Sequence, residues 1–280
     1  MEGPFEQVVF SGGGLRCFWQ GGFVSAVDEA LGLSPSRISG VSGGALAGSA
    51  WLAGRERDLL ERMASAFEQE DWHATLEDLD ESHGRTPHQR VYDSVVRDVL
   101  DKTAEAKIAD GPSFQILIGH PPTNSASGLT GAAMTFAYEA ELHIVNAPHF
   151  NWAEKVGMTA TFVDARDAAR SGKLADLVIA AATIPPIFRT PEWDGRRVID
   201  GGMADQAPMP DPDDGPTLVL LTRQYRRLPD VPGRLYVAPS KETPADKIDF
   251  TDPAKLRETW SLGEKDGEKF LNERNKGKEI

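Results

Sequence analysis

Apolar residues in this chain fall into short blocks of two periods. Val8-Val9-Phe10 is a continuous apolar run that stops at Gly12-Gly13-Gly14, and it predicts a buried strand ending in a tight loop. From Phe18 to Leu31 the apolar positions Phe23, Val27, Ala30 and Leu31 recur at helical spacing, with Gly32 as a stop. Arg37 to Val41 reads as a second strand, and the small, apolar stretch Gly43 to Ala53 as a buried helix. The order is strand, glycine loop, helix, strand, sharp turn, helix. It predicts an α/β fold: three layers, α/β/α, on a mostly parallel central sheet.

Further along, Arg55 to Lys107 is charged and mostly helical in pattern, with a polar loop expected at Glu77 to Thr86. Phe114 to Ile118, Leu142 to Val145 and Met158 to Val163 predict strands. Ser171 to Ala182 predicts a helix, closed by the prolines of Ile184-Pro185-Pro186. Arg197-Val198-Ile199 is a short strand running into Asp200-Gly201-Gly202. Thr217 to Leu221 and Arg234 to Val237 are late strands, and Asp252 to Asn275 is a charged, amphipathic terminal helix. There is no internal repeat, and Pro208 to Pro216 reads as a loop rather than a linker. Residues 1–280 are expected to form a single domain.

Composition narrows the function classes. With 40% hydrophobic and 26% charged residues the chain can bury a sizeable core. A net charge of −13 excludes the basic footprint that nucleic acid requires. It also repels strongly anionic membranes unless a local patch overrides the average. The single cysteine, Cys17, can form no disulfide within the chain. Met1 to Glu6 has no basic stretch, and the apolar runs fall short of the ~18 residues of a spanning helix. A cytoplasmic protein, with any membrane contact peripheral, is the expectation.

Three short strings carry candidate chemistry. Gly40-Val41-Ser42-Gly43-Gly44 fits G-x-S-x-G between a strand and a helix, the setting of a nucleophile elbow. Small neighbours are needed there because larger side chains would collide in so sharp a turn. The turn also presents the hydroxyl at a helix N-terminus, where N–H groups favour developing negative charge. Gly12-Gly13-Gly14 also lies between strand and helix, and two readings compete: an oxyanion hole or a phosphate cradle. The nucleotide reading fits poorly, since Cys17 stands where G-x-G-x-x-G wants its last glycine and no G-K-[ST] occurs. Arg16, just past the glycines, could brace the loop, meet an anionic substrate or be salt-bridged. Asp200-Gly201-Gly202 sits at a strand end, where an α/β sheet gathers its active-site loops, although Asp-Gly is also a common turn.

The six histidines are His73, His83, His88, His120, His143 and His149. None follows Asp200, so a Ser-Asp-His order cannot be built on it, and none has a metal-ligand spacing. A carboxylate is then the better base for Ser42.

Taken together, the three strings resemble the patatin-like phospholipase family. The glycine loop with its basic residue (Gly12-Gly13-Gly14-Leu15-Arg16), the elbow and Asp200-Gly201-Gly202 match in order and rough spacing. Ala181 to Phe188 resembles the segment that precedes the family's aspartate, and the similarity spans roughly Val8 to Gly202. One position departs: the family usually has glycine after the basic residue, and this chain has Cys17. The resemblance implies a serine–aspartate dyad of Ser42 and Asp200, without histidine, metal or cofactor. It implies an oxyanion hole from Gly12, Gly13 and Gly14, with Arg16, Gly40, Gly43, Gly44, Gly201 and Gly202 in support. The implied substrates are lipid or other acyl esters. A lipid-binding module of the same fold, silent or activated by a partner, and an acyltransferase are the alternatives.

Overall fold

A computed structural model describes residues 3–70, 85–122, 146–149, 157–185, 188–247, 249 and 251–277. The predicted strand Leu142 to Val145, most of the loop Glu77 to Thr86, and His73, His83, His143 and Pro186 lie outside these residues. The core of the fold is a seven-stranded sheet of order β4-β3-β2-β1-β8-β9, with β7 also paired to β3. Its strands are β1 (Gln7–Phe10), β2 (Arg37–Val41), β3 (Ser113–His120), β4 (Thr159–Asp164), β7 (Ile199–Asp200), β8 (Thr217–Leu220) and β9 (Arg234–Val237). β1, β2, β3, β8 and β9 run parallel, while β4 and β7 run antiparallel to β3. Helices flank the sheet, which is the α/β/α arrangement expected from the sequence.

The continuous apolar runs have a direct cause in this layering. Successive residues of a strand face opposite sides, and both sides here are covered. Val8 and Phe10 of β1 join the main helical core, whereas Val9 between them packs with Ala207, Val219 and Leu221 on the other face.

The helices are α1 (Phe18–Leu31), α2 (Gly43–Ala53), α3 (Glu56–Gln69), α4 (Pro87–Val99), α5 (Lys102–Ala109), α6 (Ala165–Arg170), α7 (Leu174–Ala181) and α8 (Pro253–Asn275). Their ends follow from local chemistry. Gly32 and Gly54 close α1 and α2 in left-handed conformations. Thr86 caps α4 by accepting from the Gln89 amide at 3.2 Å, with Pro87 in the first turn. Asp252 caps α8 through the Ala254 amide at 3.0 Å. Among the described residues no helix is long and apolar enough to cross a membrane.

Two predicted elements take a different form. The region read as one helix, Ser171 to Ala182, begins only at Leu174, and a separate α6 precedes it, capped by Asp164 and ended at Gly172 with φ 67°. Six residues are too few to show a helical period. The predicted strand Arg197 to Ile199 is divided. Arg196–Arg197 (β6) pairs with Glu192–Trp193 (β5) in a hairpin, and Ile199–Asp200 crosses into the main sheet. The hairpin turns on Asp194-Gly195, both at positive φ (49° and 73°), a type I′ signal present in the sequence.

Candidate active site

Strand pairing decides where the serine and the aspartate meet. β2 runs beside β3 as far as Val41, which lies opposite Leu117. The chain then leaves the sheet at Ser42, whose φ of 54° and ψ of −136° are unusual for a residue with a side chain. Such a conformation costs about 1–3 kcal/mol and persists only where the surroundings over-determine it. Here a buried strand on one side and a buried helix on the other do so.

The departure vacates the edge of β3 beyond Leu117. β7 enters that slot from the opposite direction, placing Asp200 opposite Ile118, while β4 occupies the other edge of β3. Asp200 thus arrives at the next position along β3 from the serine turn. The Ser42 hydroxyl donates to Asp200 Oδ2 at 2.6 Å, and each residue is only 3% exposed. The Gly202 amide donates to the other carboxylate oxygen at 2.7 Å, and the Asp200 amide donates to the Thr183 carbonyl at 2.7 Å. Burial holds the Asp200 carboxyl above its ordinary pKa; the Lys247 cation and the hydrogen bonds from Ser42 and Gly202 pull the other way.

The glycine loop lies above this pair. The Gly12 amide donates to the Gln206 carbonyl at 2.8 Å, and the Gly12 carbonyl accepts from Thr222 Oγ1 at 2.7 Å. An amide so engaged cannot also serve an oxyanion, which removes Gly12 from the expected set of donors and makes it an anchor. The amides of Gly13 and Gly14 donate to no group among the described residues. Gly40 ends β2, and Gly43 and Gly44 open α2. A Cβ on Gly44 would collide with the carbonyl oxygens of Phe10 and Ser11, so only glycine lets α2 start this close to β1. Gly201 and Gly202 form a 3₁₀ turn against β3.

Arg16 takes the salt-bridged role: its guanidinium meets Asp246 at 2.7 Å. The next residue, Lys247, accepts the Leu15 amide on its carbonyl at 3.2 Å. The 246–247 segment therefore clasps the loop from outside. Cys17 is buried below the loop, its thiol 3.6 Å from the Ser11 carbonyl. Burial, reinforced by the negative charge of Asp200, pushes that thiol far up, so it stays neutral.

An apolar pocket leads away from Ser42. One face of α2 (Leu46, Ala47, Ala50) forms one wall, and Leu59 and Met63 of α3 face it. Gln206, Thr222, Lys247, Tyr92 and Trp260 all border this site, and none stood out in the sequence, because each is an isolated residue outside any motif. His120 instead contacts Thr161 and the Arg197 carbonyl, and His149 contacts Asp205 and Tyr236. Among the described residues no histidine is hydrogen-bonded to Ser42 or Asp200.

The model of the patatin-like phospholipase family matches residues 8–212, which hold the glycine loop, Ser42 and Asp200. The chain belongs to the patatin-like phospholipase family. This family is in general one of lipid acyl hydrolases, acting on lipid substrates. Among solved structures, VipD from Legionella pneumophila resembles this patatin-like chain with a TM-score of 0.48 and 10% identity, over 96% of this chain and 67% of that one. No curated protein matches it. Lys247 and Trp260 lie beyond the part that the family model matches.

Proposed function

We propose that this patatin-like chain, as one domain over residues 1–280, is a serine acyl-ester hydrolase of lipids that works through a Ser42–Asp200 dyad. The 2.6 Å hydrogen bond between the two, buried at the mouth of an apolar pocket, carries the reading. Asp200 takes the Ser42 proton as Oγ attacks the ester carbonyl, and the acyl chain lies along α2 in the pocket. The tetrahedral oxyanion is held by the Gly13 and Gly14 amides, with the N-terminus of α2 behind. A donor of this kind is worth about 3–4 kcal/mol in the transition state elsewhere. The proton on Asp200 passes to the leaving alcohol. Asp200 then activates water, which releases the fatty acid.

Covalent labelling by a fluorophosphonate probe tests the dyad. Wild type is expected to label, Ser42→Ala to lose labelling entirely, and Asp200→Asn to label at least a hundredfold more slowly. A raised carboxyl pKa favours folding below the unfolded value of 3.8 and loses that benefit as pH rises through the folded value. At neutral pH the ionised, buried Asp200 therefore costs stability, and Asp200→Asn should melt no lower than wild type. Labelling that survives Ser42→Ala would sink the proposal.

A further inference from the structure

Tyr92, on α4, is 5% exposed, yet its hydroxyl has no hydrogen-bond partner among the described residues. It lines the same pocket as Ser42 and Cys17. Its ring packs against Phe188, with centroids 5.9 Å apart, which orients the phenol. A buried donor left unsatisfied is costly, and such groups call for an explanation. The fold makes no use of this one, since α4 is held by other contacts: the Thr86 cap and the Gln89 side chain, which accepts the Arg189 amide at 3.0 Å.

We propose that Tyr92 is a further catalytic residue, whose hydroxyl donates a hydrogen bond to the alkoxy oxygen of the bound ester. The inference rests on the Ser42–Asp200 reading and deepens it. An ester offers two acceptors. The carbonyl oxygen becomes the oxyanion and faces Gly13 and Gly14. The alkoxy oxygen remains, and it must receive the proton that Asp200 took from Ser42. Burial pushes the Tyr92 phenol pKa up, and the negative charge of Asp200 adds to it. The phenol thus stays protonated, a donor on the wall of the pocket that Ser42 also lines. In acylation the Ser42 Oγ–carbon bond forms, the carbon–alkoxy bond breaks, and the Ser42 proton reaches the departing oxygen through Asp200. Tyr92 keeps its own proton throughout and stabilises the charge that grows on the leaving oxygen.

Leaving-group dependence tests this. kcat/KM is measured for Tyr92→Phe on an ethyl ester and a p-nitrophenyl ester of the same fatty acid. The alkyl ester, whose leaving oxygen needs stabilisation, should fall about 10- to 100-fold, in the range that a positioned donor supplies. The p-nitrophenyl ester should fall less than about threefold, and so should fluorophosphonate labelling, because these leaving groups depart without help. The melting temperature should not fall, since only an unsatisfied hydroxyl is lost. Equal losses on both esters would mean a packing role, and unchanged rates on both would mean no role; either result overturns the inference. A wild type that neither labels nor hydrolyses would instead overturn the dyad reading beneath it.

Discussion

At the scale of single residues, the site sets a buried carboxylate against the Lys247 cation. In the proposed mechanism Asp200 must be ionised to accept the Ser42 proton, and burial opposes that. Cys17 and Tyr92, whose pKa values Asp200 helps to raise, are both held neutral by burial and add no charge. Lys247 is the group whose positive charge favours the carboxylate. Activity should therefore fall as pH is lowered through a pKa above the ordinary aspartate value. Lys247→Gln should move that acid limb to higher pH, and Lys247→Arg should hold it near the wild-type position. The pH dependence of the fluorophosphonate labelling rate reads the limb directly. A limb that stays in place in Lys247→Gln would show that this cation does not tune the base.

At the scale of elements, the decisive event is the exchange of neighbours along β3. β2 occupies one edge of β3 through Val41, and β7 takes it over from Ile118 onward. The exchange demands that α2 begin at once and lie close to β1. Gly44 permits it, packed against the Phe10 and Ser11 carbonyls. Gly44→Ala should push α2 away from the sheet, cost about 1–3 kcal/mol as over-packing does, and sharply reduce labelling of Ser42. Thermal melting and the labelling rate measured on one preparation check both. A variant with wild-type stability and labelling would mean that the elbow tolerates a wider gap than its contacts indicate.

At the scale of the whole molecule, the pocket beside Ser42 depends on helices far apart in the sequence. α8 packs along α1 and carries Trp260 into the pocket wall. The two helices approach so closely that a Cβ on Gly22 would strike the Trp260 carbonyl, and one on Gly263 would strike the Trp19 carbonyl. Trp19 is also tied to Asp266 of α8 at 2.8 Å, and Phe23 meets Phe270 edge-on with centroids 5.5 Å apart. Gly263→Leu should force the helices apart and lower the melting temperature by several degrees. It should also lower kcat/KM more for long-chain than for short-chain esters, because the displaced wall lies along the chain. Equal effects on all chain lengths would place Trp260 outside the acyl path.

Much of this was legible in the chain itself. The runs Val8–Phe10 and Arg37–Val41, with glycines directly after them, specify buried parallel strands ending in tight loops, since period and turn chemistry are local properties. Ser42 between glycines and Asp200 before paired glycines marked the candidate pair, because only small neighbours suit such turns. Other features had no local signal. Val41 and Ile118 do not announce that one strand replaces another beside β3; that follows from sheet register. Tyr92, Lys247 and Trp260 come from α4, a late loop and α8, and only tertiary packing brings them to one pocket. The spent amide of Gly12 was equally hidden, for a hydrogen bond to Gln206 depends on how distant segments dock. Local sequence determined the turns and the two candidate groups, whereas the surroundings of those groups, and hence their protonation, were decided by contacts between residues far apart in the chain.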